Sequence, residues 1–217
     1  MPKPPRPAGI EVLAGTNGAG KSSVAGEAFR RGGGDYFNPD EATRRIREAQ
    51  PRISEAEANS MAWQAGKRLL ERAIAEQADF AFETTLGGRT ITSLLERALD
   101  EGLEVRMWFV GLDSPERHLA RVKARVARGG HDIPEVKIRE RYETSRRNLI
   151  RLLPHLTELR LFDNSAEGDP AKGKSPKPLL VLHMTEGAMT SMCPPTKVPV
   201  WAKPIVAAAM RAARAAE

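Results

Sequence analysis

Short apolar runs alternate along the chain with longer segments in which apolar residues recur every three or four positions. The runs predict strands at residues 10–14, 36–37, 80–82, 105–110 and 159–162, with an added strand at 179–183. The longer segments predict amphipathic helices. Strands that alternate with helices indicate an α/β fold, in which a parallel sheet is flanked by helices through right-handed crossovers.

Capping residues mark where several helices begin. Ser54 and Glu57 form an S-x-x-E capping box, and Ser114 with Pro115 is a standard pair of N-cap and first helical residue. A further helix is predicted to begin at Pro39. Near the end of the chain, residues 205–216 are Ala-rich and predict a terminal helix after a Pro/Gly/Lys loop at 168–178.

A phosphate-binding loop follows the first predicted strand. Residues 15–22 read GTNGAGKS, a complete G-x-x-x-x-G-K-[ST] motif. Its glycines let successive backbone N–H groups point at phosphate oxygens, Lys21 reaches the β- and γ-phosphates, and the Ser22 hydroxyl is the expected Mg²⁺ ligand. We therefore expect ATP to be bound by residues Thr16, Asn17, Gly18, Ala19, Gly20, Lys21, Ser22 and Ser23. The motif identifies a P-loop NTPase fold.

Acidic residues follow several of the predicted strands. Asp40, Glu83, Asp113 and Asp163 all come at or just after a strand end. Because the carboxyl ends of parallel strands meet at one edge of the sheet, this is where the site of such a fold lies. Alternatively, Asp40 is a carboxylate that is stabilised by the dipole of the helix that it begins. The alternative for Glu83 is an ordinary polar residue at the end of a strand.

An arginine-rich stretch covers residues 117–151. Two helical patterns flank a break at Gly129 and Gly130, and the second begins near Pro134. Two helices, a flexible joint and arginines are the features of a lid that closes over a nucleotide, since a guanidinium grips phosphate oxygens with a planar fork. The alternative is a solvated pair of helices with surface arginines. His131, in the joint, has no evident partner and is interpreted as structural.

Composition favours one enzyme domain. The chain has 217 residues, a net charge of +6 and a single cysteine, Cys193. One domain is the better expectation at this length, and basic charge around a phosphate site needs no nucleic acid to explain it. No apolar run reaches membrane-spanning length and there is no leader sequence, so we expect a cytoplasmic protein without membrane contact. The predicted organisation is a disordered tail at 1–8, a kinase core at 9–166 with its lid at about 114–151, and an extension at 167–217 packed on the same domain.

Four segments together resemble the zeta-toxin family of P-loop kinases, and in particular its stand-alone bacterial branch of predicted ABC-type ATPases. They read GTNGAGKS, FNPDEATR, FAFETTLGG and RVKARVARGGHDIPEVKIRERYETSRRNL. The resemblance covers about residues 8–165, and the arginine-rich lid is its most specific part. It implies a kinase-like sheet and phosphorylation by ATP and Mg²⁺ of a small-molecule hydroxyl. Characterised toxins of the family act on the sugar 3′-hydroxyl of UDP-N-acetylglucosamine.

The resemblance also implies roles for particular residues. Asp40 matches the catalytic aspartate that receives or orients the proton of the attacking hydroxyl. Arg128 and Arg141 match the paired lid arginines that contact phosphates, although Arg121 and Arg125 lie on nearly the same helical face and could take either role. Together with Lys21 these are the expected catalytic residues. Substrate contacts are expected from Asp40, Glu83, Thr85 and Arg89.

Some features depart from the toxin pattern. Asn38-Pro39-Asp40 replaces the usual run of two polar residues before the aspartate, and the long partner-binding N-terminal helix of the toxins is missing. We therefore do not expect an antitoxin partner. The chain has neither a Walker-B run ending in Asp-Glu nor an ABC signature, which argues against an ABC transporter ATPase.

The predicted function is an ATP-dependent kinase for a UDP-activated amino sugar. One alternative is a kinase for another acceptor, such as a nucleoside, an antibiotic hydroxyl or a nucleic-acid end. Another is a non-catalytic switch that uses its basic lid to bind nucleic acid when nucleotide is present.

Overall fold

One mixed sheet organises the protein. The computed structural model describes residues 7–26, 29, 36–166 and 177–215, and within these it contains seven strands and six α-helices. The strands are β1 (Gly9–Ala14), β2 (Tyr36–Phe37), β3 (Phe80–Thr84), β4 (Glu104–Gly111), β5 (Glu158–Asp163), β6 (Leu179–Thr185) and β7 (Ala188–Met192). The helices are α1 (Pro39–Ala49), α2 (Glu55–Ala75), α3 (Arg89–Asp100), α4 (Pro115–Val126), α5 (Glu135–Leu152) and α6 (Lys203–Ala215). The phosphate-binding loop leads into a short π-helical segment at Ser22–Gly26.

The order of the strands places the phosphate-binding loop at the centre of the sheet edge. The order is β2-β3-β1-β4-β5-β6-β7, and the first five strands are parallel. Strand β1 therefore has β3 on one side and β4 on the other, and the chain crosses from one side of β1 to the other between β3 and β4. A crevice opens at such a switch point, at the carboxyl ends of the strands. The predicted α/β fold with a kinase-like parallel sheet is confirmed.

The strands on either side of this crevice are buried on both faces. Ile10 and Val12 of β1 pack into the main core, while Leu13 packs into a second cluster with Ala81 and Val110. Burial on both faces explains why these segments read as continuous apolar runs rather than alternating ones.

Capping residues begin the helices as predicted. The Ser54 hydroxyl accepts from the Glu57 N–H while the Glu57 carboxylate accepts from the Ser54 N–H. Ser114 caps α4, and the side chain of Asn38 caps α1 by accepting from the N–H groups of Asp40 and Glu41.

The predicted lid contains part of the core. Helices α4 and α5 flank Gly129 and Gly130, and they pack on each other through Leu119, Val122 and Ile138. From Tyr142 onward, however, α5 packs into the main core. Opening of the whole segment 114–151 would expose these side chains, so a movable part is restricted to the residues before Tyr142.

The C-terminal segment extends the same sheet. Strand β6 pairs antiparallel with β5, and β7 pairs antiparallel with β6. The sequence predicted β6 but missed β7, because AMTSM has too few apolar residues to indicate a strand. The missed signal is the two-residue turn at Glu186 and Gly187, which both have positive φ, as tight hairpin turns require. The terminal helix begins at Lys203, two residues before its predicted start, and its described part ends at Ala215.

Two sequence predictions fall wholly or mostly outside the described residues: the tail at 1–8 and the loop at 168–178. Among the helices that are described, none combines the length and apolar character needed to cross a membrane.

Candidate active site

The phosphate-binding loop depends on glycine at positions where neighbouring groups come very close. A Cβ on Gly15 would lie 2.1 Å from the carbonyl oxygen of Val110, and one on Gly20 would lie 2.5 Å from Nδ2 of Asn164. Gly20 also has a φ of +82°, a conformation that side chains disfavour. The loop therefore curls tightly between β4 and the end of β5, as a phosphate cradle requires.

Lys21 lies under this loop and joins it to β3. Its ammonium donates to the carbonyl oxygen of Gly15 at 2.8 Å and lies 3.3 Å from Oε1 of Glu83. The residue is buried, so the two oxygens stabilise a charge that would otherwise be costly to remove from water.

Glu83 contacts four side chains of the site. Besides Lys21, its Oε2 accepts from the Tyr36 hydroxyl at 2.9 Å, from Asn38 Nδ2 at 3.0 Å and from the Ser22 hydroxyl at 3.4 Å. The carboxylate thus joins β3, the end of β2 and the loop. It also lies beside the hydroxyl expected to bind Mg²⁺, which the sequence alone did not indicate.

The backbone of Asp40 belongs to the start of a helix, whereas its carboxylate belongs to the site. Its backbone N–H donates to Asn38 Oδ1 at 2.9 Å, as the first turn of α1 requires. Its half-exposed carboxylate lies 3.6 Å from NH1 of Arg125 and 3.8 Å from Nε2 of His131. The carboxylate therefore faces the lid, and the interpretation of His131 as a residue without a partner was wrong.

The four lid arginines have different surroundings. Arg141 donates to Asn17 Oδ1 of the loop at 2.7 Å, and burial lowers the pKa of its guanidinium while Glu140 and Asp40 raise it. Arg121 donates to the carbonyl oxygen of Asn164 at 2.8 Å. Arg128 is exposed, and its Nε donates to the carbonyl oxygen of Ala124 in the preceding turn. Arg125 is the lid arginine that contacts Asp40.

A buried histidine supports the loop from beneath. Nδ1 of His118 lies 2.8 Å from the carbonyl oxygen of Asn17. Burial lowers the pKa of His118 to about 4, with nearby Lys21 and Arg121 acting in the same direction. The ring is therefore neutral near pH 7, and Nδ1–H donates to the loop carbonyl. The sequence analysis missed this residue; its signal was a histidine among apolar helix positions such as Leu119 and Val122.

Two clefts meet at this site. One, of about 1150 Å³, opens over the loop and is lined by Lys21, Ser22, Arg121, Arg125 and Arg128. The other, of about 650 Å³, lies between α1, α2 and the lid joint. Both clefts are lined by Asn17, Pro39, Asp40, Glu83, Thr84 and Thr85.

The second cleft combines polar side chains with an aromatic patch. Thr43, Asn59 and Lys67 line it together with Trp63, a half-exposed residue of α2. Arg141 lines this cleft rather than the one over the loop. Arg89, expected to contact substrate, is exposed at the start of α3 and is not among the residues lining either cleft.

The residues present fit a nucleotide with Mg²⁺. Among the described residues, no three His, Cys, Asp or Glu side chains converge as a metal site. Magnesium needs few protein ligands when it is bound together with nucleotide phosphates. The Ser22 hydroxyl at the mouth of the glycine cradle, with Glu83 next to it, suits that arrangement.

Comparisons with known proteins agree with this geometry. A sequence model described as Zeta toxin matches residues 1–166. An uncharacterised protein of Haemophilus influenzae is 33% identical over 129 residues, which cover 59% of this chain and 88% of that protein.

Two solved structures have a similar fold. The structure of AvrRxo1-ORF1:-ORF2 with ATP has a TM-score of 0.64 and 18% identity, covering 86% of this chain and 60% of that chain. The PezAT chromosomal toxin-antitoxin system of Streptococcus pneumoniae has a TM-score of 0.53 and 15% identity, covering 73% of this chain and 68% of that chain. The protein thus spans about 60% of the length of the AvrRxo1 chain that it matches.

Proposed function

The chain belongs to the zeta-toxin family of P-loop phosphotransferases, and from this premise we propose that it transfers the γ-phosphoryl group of ATP to a hydroxyl of a small acceptor. The observation that carries the proposal is the meeting of two clefts at Asp40 and the phosphate-binding loop. A nucleotide over the loop and an acceptor in the second cleft would then approach each other at the junction. Phosphoryl transfer requires this geometry, since positioning and charge stabilisation provide most of the catalysis.

Each group at the junction has a chemical task in the proposal. Lys21 and the loop amides hold the β- and γ-phosphates, and the carboxylate of Asp40 receives the proton of the acceptor hydroxyl. The bond from the γ-phosphorus to the bridging oxygen of ADP breaks as the bond to the acceptor oxygen forms. Arg141 and a second lid arginine stabilise the charge; the family resemblance implies Arg128 for this second position, with Arg121 and Arg125 as the alternatives. Ser22 would hold Mg²⁺, which neutralises phosphate charge when bound.

For the acceptor we propose a UDP-activated amino sugar such as UDP-N-acetylglucosamine. The support is the family resemblance together with the character of the second cleft. Hydroxyl and amide side chains such as Thr43 and Asn59 suit a sugar, and the exposed ring of Trp63 offers a flat surface for a planar or saturated ring. Thr85 lines both clefts and is placed to contact an acceptor near the transferred group. Glu83 also lines both clefts and is placed to contact the acceptor. A cytoplasmic location is part of the proposal, because ATP is available there.

Mass spectrometry tests the reaction and the acceptor separately. The protein is incubated with Mg·ATP and either UDP-N-acetylglucosamine or a bacterial metabolite extract, with Lys21→Ala as the inactive control. A gain of one phosphate on the UDP-sugar supports the full proposal. A gain only on another metabolite supports the kinase and rejects the sugar. No phosphorylated product with either acceptor contradicts the kinase proposal and favours a nucleotide-dependent switch.

A protein partner is part of the proposal, although the sequence analysis did not favour an antitoxin. PezAT is a toxin-antitoxin system, and AvrRxo1-ORF1 was solved in complex with ORF2. Induction of the wild-type chain and of Asp40→Asn in a bacterial host tests this point. Growth arrest by the wild type alone would indicate a toxin that needs a neutralising partner, and normal growth with both would argue against one.

A further inference from the structure

Arg125 lies at the point where the two clefts meet. Its side chain lines the cleft over the phosphate-binding loop, and its NH1 is 3.6 Å from Oδ2 of Asp40, which lines both clefts. A cation here is close both to the loop that would hold the γ-phosphate and to the carboxylate proposed to receive the proton.

The guanidinium of Arg125 has donors without a close acceptor. NH2 donates to the carbonyl oxygen of His131 at 3.0 Å. The distance from NH1 to Asp40 is longer than a hydrogen bond, and Nε is buried without a hydrogen-bond partner within the described part of the chain. An unpaired buried N–H is costly, and an anion bound in the cleft would satisfy it.

The turn after α4 fixes the position of this arginine. The N–H of Gly130 donates to the backbone carbonyl of Arg125 at 3.0 Å, and a Cβ on Gly130 would lie 2.6 Å from Cγ of Arg125. The joint of the lid is therefore packed directly against the arginine stem. His131, which follows in the chain, accepts from Arg125 and faces the other oxygen of Asp40.

Arg128 has a different environment. It is exposed, and its Nε is already hydrogen bonded to the carbonyl oxygen of Ala124 one turn earlier. It lines the same cleft, but no contact joins it to Asp40 among the described residues. The two arginines thus differ in their burial and in their proximity to Asp40.

We propose that Arg125, rather than Arg128, is the lid arginine that binds the γ-phosphate and stabilises the phosphoryl group during transfer. This inference rests on the proposed function, because it assumes that nucleotide binds over the loop. When the γ-phosphate arrives, Nε and NH1 of Arg125 donate to its oxygens, and the side chain moves away from Asp40. The Asp40 carboxylate is then free to receive the proton of the acceptor, while Arg125 itself exchanges none.

Nucleotide affinities test this inference without any knowledge of the acceptor. Calorimetry with Mg²⁺ measures binding of ADP and of the non-hydrolysable β,γ-imido analogue of ATP to the wild type and to four variants: Arg125→Ala, Arg125→Lys, Arg128→Ala and Lys123→Ala. Lys123 is the matched control, because it is an exposed cation on the same helix and lines neither cleft.

We expect Arg125→Ala to lose about tenfold or more of the preference for the ATP analogue over ADP, the scale of a charge-assisted hydrogen bond. Arg125→Lys keeps the charge but not the planar donor fork of the guanidinium, and it should lose part of the preference. This variant therefore tests the inference even if the alanine variant folds poorly. Lys123→Ala should keep the wild-type preference.

Three results would overturn the inference. Loss of the preference in Arg128→Ala, with its retention in both Arg125 variants, would return the role to Arg128. An unchanged preference in every variant would show that neither arginine binds the γ-phosphate. A wild type that binds neither nucleotide would contradict the proposed function itself, and the inference with it.

Discussion

Asp40 illustrates how one residue can satisfy two interpretations. Its amide belongs to the capped first turn of α1, which a helix-start residue would explain by itself. Its carboxylate, however, faces Arg125 and His131 across the junction of the clefts. Helix capping requires none of these contacts from the carboxylate, so a change that affects only the carboxylate separates the two roles.

Replacing Asp40 by Asn keeps the shape and removes the basicity. We expect binding of Mg·ATP to remain near normal while phosphoryl transfer falls by about 100-fold or more, the usual scale for a positioned base. Transfer is measured by single-turnover kinetics on the acceptor found by mass spectrometry. Glu48→Gln, the same chemical change at the exposed end of α1, is the control and should keep wild-type rates. Unchanged turnover in Asp40→Asn would restrict Asp40 to its helix-start role.

His118 makes stability depend on pH. Its pKa is lowered in the folded protein to about 4 from an ordinary value of 6.5, so between these values the unfolded chain binds a proton that the folded protein does not. The contribution of neutral His118 to the free energy of unfolding is therefore complete above pH 6.5 and is lost as the pH falls toward 4. The full loss is about 3 kcal/mol.

Urea unfolding at several pH values measures this contribution, with His118→Gln as the comparison. The wild type should lose stability between pH 6.5 and 4 more steeply than the variant, which has no imidazole at this position. Parallel pH profiles for the two proteins would show that His118 titrates normally.

At the scale of elements, the lid and the core share helix α5. Its beginning packs on α4 around Ile138, and its later residues, including Tyr142, Leu149 and Leu152, are in the main core. The joint at Gly129 and Gly130 connects the beginning of α5 to α4, the helix that carries Arg121 and Arg125. Motion of the lid must therefore come from α4, the joint and the part of α5 before Tyr142.

Hydrogen exchange tests this motion. With the ATP analogue and Mg²⁺, amides from about Arg121 to Arg141 should exchange more slowly than in the free protein, because closure brings arginines onto the phosphates. Amides of α5 beyond Tyr142 should exchange slowly in both states and act as the internal control. Equal protection of the first segment in both states would identify it as a static surface.

At the scale of the whole molecule, the C-terminal segment supports the strand that ends at the site. Trp201 is buried; its Nε1 donates to Asp163 at the end of β5 at 2.8 Å, and its ring packs against Gly111 at the end of β4. A Cβ on Gly111 would lie 2.3 Å from that ring. The segment after residue 177 is therefore integral to the fold around the catalytic edge.

Trp201→Ala should reduce the free energy of unfolding by about 3 kcal/mol or more, the usual range for removing a buried tryptophan. Chemical denaturation measures this loss. Val200→Ala is the matched control, since the neighbouring side chain is 79% exposed, and it should change stability by no more than about 0.5 kcal/mol. Similar stability for the two variants would mean that the segment is only loosely attached.

The sequence by itself determined the features that depend on local chemistry. The phosphate-binding loop, the capping box at Ser54 and the apolar strands were all predicted correctly, because glycine geometry, capping and burial on both sheet faces leave direct marks in the residue order. The family, too, could be predicted, since its motifs are short continuous segments that include the loop.

Only the tertiary structure decided which distant side chains meet. Asp40 comes from a different segment than Arg125 and His131, and His118 lies under a loop that is about a hundred positions earlier in the chain. Helical spacing could not decide between Arg125 and Arg128, because both positions fit the same helical face, one near the end of α4 and the other just beyond it. Their difference arises from the joint, where the packing of Gly130 against Arg125 directs one guanidinium to Asp40. Sequence patterns record which face of an element is buried, whereas contacts between elements depend on how the chain crosses the sheet.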